Sequence, residues 1–277
     1  MKYAVLQHLP VFLQKTATGE TDSQLTNSVY LDNSSLELYH GRLDKTPGAI
    51  AVRLRWYGNG DPETIFVERK THRDAWTGEV SVKERFIISE KEVQVRDLEG
   101  KKGGGERESA AWMGLKEALE LMKLPLPPLW KQAVMNGTYD LNGERAKLLA
   151  KGKPESDVED WYTLASEITQ AVNTKLLVPT MRTQYMRTAF QIPFDATVRV
   201  SLDTNLCMIS ERGYDLENGR RWHRDPTQPI GDTEIARFPH AVLEIKLEVK
   251  EGSVVPQWVT DLQVRGGRDA QGNAEER

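Results

Sequence analysis

Residues 51–86 read AVRLRWYGNGDPETIFVERKTHRDAWTGEVSVKERF. Turn signals at Gly58-Asn59-Gly60-Asp61-Pro62 and at Trp76-Thr77-Gly78 cut this stretch into three extended runs. Charge recurs at every second position: Arg53 and Arg55, then Glu68, Lys70 and His72, then Lys83 and Arg85. A β-strand sends alternate side chains to opposite faces, so each set occupies one face of its strand. Antiparallel pairing would merge those faces into a cationic wall carrying one carboxylate, Glu68, and one imidazole, His72. A face kept only for solubility mixes its signs, because like charges set opposite one another destabilise a sheet. A wall this one-sided calls for a polyanion.

The second half repeats the device. Tyr185 and Arg187 share a face of PTMRTQYMRTAFQI; Arg199, Ser201 and Asp203 share one of ATVRVSLDT; Glu244 and Lys246 share one of AVLEIKLEV. The collected face holds Arg53, Arg55, Lys70, Lys83, Arg85, Arg187, Arg199 and Lys246 against Glu68 and Glu244. An open sheet leaves such a face to solvent, where it needs no function. A sheet closed into a barrel turns it inward, where so many cations are untenable without an anionic guest. Arginine forks bind phosphate oxygens bidentately and lysine acts as a point charge, so a phosphate chain is the guest that fits.

Plainer readings stay open beside this one. Any single strand could be the solvent face of a half-exposed sheet. His72 alone is more often a structural or surface histidine than a ligand. Glu244 interrupts an apolar run, where a carboxylate needs a partner, and an ion pair to a neighbouring arginine competes with metal ligation. Trp56, Tyr57, Trp112 and Trp161 are expected in the core. Because like charges repel, trimming Arg53 or Lys70 is expected to leave the fold intact.

The chain has 277 residues, with 39% hydrophobic and 28% charged residues, enough to bury a core in one domain or two. A net charge of −4 predicts no generic attraction to nucleic acid or anionic membrane, so a cationic site must be local. The single cysteine, Cys207, excludes an internal disulfide framework and suits a reducing compartment. No run is long enough to span a bilayer, and MKYAVLQHLPVFLQK lacks a small-residue cleavage site. A soluble, cytoplasmic chain with no membrane insertion is expected. No P-loop, dinucleotide fingerprint, HExxH or G-x-S-x-G occurs.

In order, the chain predicts a first helix ending at Pro10 with Val5, Leu6 and Leu9 packed inward, a loop over 16–26, and a strand over 27–32. Asn33-Ser34-Ser35 is expected to cap a helix with Leu36, Leu38 and Tyr39 on its apolar edge. The glycine-rich 101–108 reads as a loop and 109–124 as a helix. A polar stretch over 136–157 precedes a helix striped by Trp161, Leu164, Ile168 and Val172, with Pro179 marking its end. Strands follow, with breaks at Pro193, at Asn205 and over a long loop at 212–234, and Trp258 and Val259 start a last helix. Residues 1–265 are expected to form the domain and 266–277 a disordered tail. Strands, then helices, then strands argue an α+β fold on a mainly antiparallel sheet.

SVYLDN, LELYHGRLDK, AVRLRWYG and TIFVERKTHRDAWTGEVSVKERF, followed in order by QYMRTAFQIP, RVSLDT and RFPHAVLEIKL, resemble the catalytic-domain signature of the vacuolar transporter chaperone (VTC) family. The resemblance covers about residues 3–262. It implies a triphosphate tunnel fold, a closed antiparallel β-barrel with flanking helices and a basic lumen. The implied activity is polyphosphate polymerase: transfer of the ATP γ-phosphate onto a growing polyphosphate chain, with Mn²⁺ or Mg²⁺. By that resemblance Arg53, Arg55, Lys70, Lys83, Arg187 and Arg199 hold the triphosphate and the chain. His72, Tyr185, Arg85, Lys246 and Glu68 are expected in the binding site, and Glu244 at the metal. The implied partners are ATP, inorganic polyphosphate and other VTC-type subunits on the cytosolic face of a vacuolar or acidocalcisome-type membrane. Against the family pattern, the first barrel strand and a C-terminal lysine segment are expected to be missing, which would suit a non-catalytic accessory subunit or a truncated fragment. Phe66-Val67-Glu68-Arg69-Lys70 keeps only the second glutamate of the wider superfamily's ExExK strand.

Overall fold

Alternation in the organising stretch becomes consecutive antiparallel strands in a computed structural model of the chain, which describes residues 1–16, 19–60, 62–73, 81–89, 141–212, 222–225, 228–248 and 255–268. These strands are β4 (Ile50–Tyr57), β5 (Thr64–Thr71) and β6 (Val82–Ser89), and β3 (Gln24–Asp32) lies on the other side of β4. With β7 (Val178–Gln191), β8 (Val198–Ser210) and β10 (Val242–Leu247) they hydrogen-bond in the order β10-β8-β7-β3-β4-β5-β6, and β9 (Ile235–Arg237) pairs with β8. The α+β class holds. Among the described residues β10 and β6 end the order without pairing to each other, so this large antiparallel sheet is not closed.

The chain divides into two compact units. One comprises residues 26–184 and 207–236. Its core is the apolar face of the early strands, where Val29, Leu31, Val52, Leu54, Ile65 and Val67 are buried. The helix that covers them runs from Glu155 to Thr174 and presents Leu164, Ile168 and Val172 at helical spacing. Burying each such side chain stabilises the unit by about 1.5–3 kcal/mol. Trp222 stands edge-on to Trp56 at 5.2 Å and closes the cluster. Arg69 points to this apolar side, held by Glu84 at 2.8 Å and by Glu167 of the helix at 2.7 Å. The other unit comprises residues 1–25, 185–206 and 237–277. There Val5, Leu9, Phe190, Val198, Val200, Leu202, Val259 and Leu262 form a second core, packed by Leu243, Ile245 and Leu247. His8 stacks on Trp258 at 4.8 Å.

Several local expectations are corrected. The helix α1 (Lys2–Leu6) stops before Pro10, with Val5 and Leu9 buried but Leu6 exposed. The expected loop over 16–26 holds β2 (Gly19–Thr21), paired with β1 (Gln14–Thr16) at its leading edge, and the polar strands carry no apolar alternation to reveal them. In α2 (Glu37–Leu43) only Leu38 is buried, and Tyr39 faces solvent. Its start is capped by Asp32, whose carboxylate accepts from the Leu38 and Tyr39 amides, together with Asn33 Oδ1 accepting from the Glu37 amide. The polar stretch holds α3 (Leu141–Ala150), a helix with no buried residue and hence no stripe to read. The covering helix, α4, ends through Leu176 in a left-handed turn (φ 53°), and Pro179 belongs to β7. Asn205 does not divide two strands: β8 runs through it at φ 54°, a conformation asparagine tolerates. The last helix, α5, spans Gln257–Arg268. Tyr57 is exposed and Trp161 half-buried, while Trp56 is core as expected. The expectations for 101–108, 109–124 and Trp112 lie outside the described residues.

Candidate polyanion-binding faces

In the first unit the strand register assembles the wall. Tyr30 lies opposite Arg53, Arg53 opposite Glu68, and Glu68 opposite Arg85; Lys70 lies opposite Lys83, and Ser28 opposite Arg55. Glu68 is its centre and is only 1% exposed. Arg53 brings Nε and Nη2 to 2.7 Å from Glu68 Oε2, and Lys83 Nζ stands 2.7 Å from Oε1. Arg55 Nη1 approaches Oε2 at 3.8 Å. Both arginines are themselves buried and are aimed by hydroxyls: Arg53 Nη1 donates to Tyr30 Oη at 2.8 Å and Arg55 Nε to Ser28 Oγ at 3.0 Å. Arg85 lies over the Phe66 ring at 5.6 Å, and Lys70 and Arg85 face solvent. His72 follows β5, half-buried, with its backbone bonded to Ala49 and Gly48.

Sequence reasoning missed Tyr30 and Ser28. Their two-residue spacing in NSVYLD is visible, but nothing there separates it from an ordinary strand. The expectation that trimming Arg53 leaves the fold intact does not survive either, because Arg53 is a buried partner of Glu68 rather than one of several repelling surface charges. Tyr30→Phe is expected to cost about 1–2 kcal/mol through the lost hydroxyl, read as a melting temperature a few degrees lower.

Electrostatics records an excess of cation. Burial would raise the Glu68 pKa, but the Lys83 hydrogen bond and the Arg53 and Arg55 charges reverse this and hold it down at about 2, against an ordinary 4.5. Lys83 is lowered, by burial first and by Arg55 and Arg53, despite its bond to Glu68. A carboxylate lowered on folding stabilises fully above its unfolded pKa and loses that contribution as pH falls through its folded one. The melting temperature is therefore expected to hold down to about pH 5 and to fall below it, with up to about 3 kcal/mol lost toward pH 2. The acid limb should be shallower in Glu68→Gln.

The other unit carries a smaller face. Arg187 makes a bidentate pair with Asp203, Nε to Oδ1 and Nη2 to Oδ2, both at 2.7 Å, and its guanidinium lies over Tyr185 at 5.2 Å. The Asp203 hydrogen bond raises the Arg187 pKa against the cost of burial. Glu244 lies opposite Ser201 and Lys246 opposite Arg199, which pairs with Glu248. The Glu244 carboxylate is held only loosely: Ser201 Oγ at 3.5 Å, Lys246 Nζ at 3.6 Å and Arg187 Nη2 at 3.8 Å. Its side chain is 46% exposed. The apolar run is thereby explained, since Leu243, Ile245 and Leu247 point to the core and Glu244 to the opposite face.

Among the described residues no cluster of three or more histidine, cysteine, aspartate or glutamate side chains could hold a metal by itself. A hard divalent cation that keeps waters and phosphate oxygens needs only one or two carboxylates. Glu244, loosely held and open to solvent, fits Mn²⁺ or Mg²⁺ on those terms. Glu68, enclosed by cations, does not.

A family model described as the VTC domain matches residues 1–271. The chain is 38% identical over 271 residues to vacuolar transporter chaperone complex subunit 4 of Schizosaccharomyces pombe, covering 95% of this chain and 32% of that protein. It is 31% identical to subunit 4 of Trypanosoma cruzi, over 85% of this chain and 25% of the relative. Subunit 2 of Saccharomyces cerevisiae is 31% identical over 81% of this chain and 24% of that protein. The chain thus spans about a quarter to a third of the length of these relatives. A solved structure from Pyrococcus horikoshii OT3 aligns with a TM-score of 0.35 and 10% identity, over 100% of this chain and 87% of the other, too low to carry an argument. Among the described residues no helix is long and apolar enough to cross a membrane.

Proposed function

We propose, because the chain belongs to the VTC domain family, that it is a metal-dependent polyphosphate polymerase domain acting on ATP and inorganic polyphosphate. The basic tunnel of the resemblance is part of this proposal, as are its partners, other VTC-type subunits in a membrane complex, and its place on the cytosolic face of a vacuolar or acidocalcisome-type membrane. The observation that carries it is the β4–β6 face, where Arg53, Arg55, Lys70, Lys83 and Arg85 are set around one buried carboxylate.

A terminal oxygen of the polyphosphate chain, already anionic, attacks the ATP γ-phosphorus. The new P–O bond forms as the bond to the β-phosphate oxygen breaks, and ADP leaves with that electron pair. No protein nucleophile or base is needed, so the rate comes from alignment and charge neutralisation. Arg53, Arg55, Lys70 and Lys83 on one face, and Arg187 and Arg199 on the other, bind phosphate oxygens. His72, Tyr185, Arg85 and Lys246 add donors at the edges. Asp203 keeps the Arg187 fork oriented. Mn²⁺ or Mg²⁺ at Glu244 supplies charge neutralisation on phosphate oxygens when bound.

A second reading, implied by the same resemblance, is a non-catalytic polyphosphate-binding accessory subunit of a VTC complex. ATP turnover with Mn²⁺ on the purified chain separates them, reading ADP release and polymer on one gel. Polymer with matching ADP supports the polymerase; ADP with orthophosphate and no polymer makes it a hydrolase. No turnover, with a thermal shift on added polyphosphate, supports the binding subunit.

A further inference from the structure

Among the described residues Glu68 is the one carboxylate of the β4–β6 face; Lys83, Arg53 and Arg55 converge on it, and it is 1% exposed. We propose that Glu68 is a specificity-determining residue: it occupies the place of one small anion, so this face refuses orthophosphate and admits a polyphosphate chain. The inference rests on the polyphosphate reading and names what that face selects.

A small anion entering the cluster must compete for donors with a carboxylate already attached to the same sheet, whose effective concentration is high. The remaining cations, Lys70 and Arg85, face solvent, where a single ion pair is weak. A chain of linked phosphates changes the balance because its charges arrive together and engage several outer cations at once. Lys83 is the hinge of the exchange. Its side chain is 40% exposed, so its ammonium can turn from Glu68 Oε1 to a phosphate oxygen while Arg53, bonded through two nitrogens, stays on Oε2. Glu68 then keeps the Arg53 and Arg55 forks apart and aimed, as Tyr30 and Ser28 do from the neighbouring strand.

The test compares orthophosphate and tripolyphosphate in metal-free buffer, by thermal shift and titration calorimetry, on the wild-type chain, Glu68→Gln and Glu68→Asp. The wild type is expected to respond to tripolyphosphate and not to orthophosphate at equal concentration. Glu68→Gln should bind orthophosphate at least about tenfold more tightly than the wild type, since a full opposing charge is removed beside the anion. Glu68→Asp keeps the charge and should keep the discrimination. Should Glu68→Gln be unfolded in anion-free buffer, recovery of its far-UV dichroism with orthophosphate supports the proposal and failure to recover overturns it. A wild-type tripolyphosphate response with unchanged selectivity in Glu68→Gln, or discrimination lost equally in Glu68→Asp, overturns the role of Glu68 alone. No tripolyphosphate response in the wild type overturns the polyphosphate reading and this inference with it.

Discussion

Glu244→Gln is expected to lower Mn²⁺-dependent ADP release and polymer formation at least about 100-fold, the scale on which removing one stabiliser of developing charge acts. Stability should hardly move. The three groups around this carboxylate stand 3.5–3.8 Å away and its side chain is 46% exposed, so its loss belongs with surface substitutions worth within about 0.5 kcal/mol. The amide keeps the shape and can still accept from Ser201, while the charge that would hold a divalent cation is gone. Metal-free tripolyphosphate binding should persist, since the cations remain. Undiminished turnover in Glu244→Gln would remove the metal role; a large fall in melting temperature would assign Glu244 to structure instead.

The second large effect is structural. Glu211→Ala is expected to destabilise the chain by about 3–5 kcal/mol, lowering the melting temperature by roughly 10 °C. Glu211 pairs through Oε1 with Arg182 Nε at 3.0 Å, where the two side chains are 1% and 6% exposed. Its Oε2 accepts the Arg224 backbone amide at 2.7 Å, and Arg224 Nε in turn donates to the Ser210 carbonyl at 2.7 Å. Glu234 pairs with the same guanidinium, and His223 Nδ1 lies 2.8 Å from the Arg224 carbonyl. These bonds pin residues 222–224 and so hold Trp222 against Trp56 in the core. Alanine would leave Arg182 buried without this carboxylate and loosen the pinned segment, so both costs fall on one substitution. Replacing Arg182 and Glu211 together by apolar residues of similar size should recover part of the loss, because a buried pair often does no better than good packing. A loss below about 1 kcal/mol in Glu211→Ala would show that the pair is not what holds the segment.

The two candidate faces, one in each unit, were legible to different degrees. Period-two charge around Arg53, Glu68 and Lys83 could be read directly, because a strand's alternation places residues on a face whatever it packs against. Who bonds whom on that face could not. Glu68 stands out in sequence as the one carboxylate of the wall but without its partners, and Ser28 and Tyr30 read as part of an unremarkable strand. Their roles arise from cross-strand register, which joins residues 15 and 23 positions apart. Glu244 was conspicuous as a carboxylate in an apolar run, yet its loose surroundings depend on Ser201 and Arg187 from other strands.

By itself the sequence determined the VTC family, the α+β class, the three organising strands, the stripe of α4 and the sign of the cationic face. These depend on composition and on local periodicities of two and 3.6 residues, which need no partner to be expressed. The tertiary structure decided which cations are buried and which face solvent, that Arg53 is a pillar of its unit, and that Glu68 is a counter-ion whereas Glu244 is open. It also decided that Asn205 sits in a left-handed conformation within a strand, that Pro179 lies near the start of one, and that residues 222–224 are fastened by Glu211. The buried pairs among these turn on groups distant in the chain meeting where water is scarce, and there burial and pairing, rather than local preference, set the free energy.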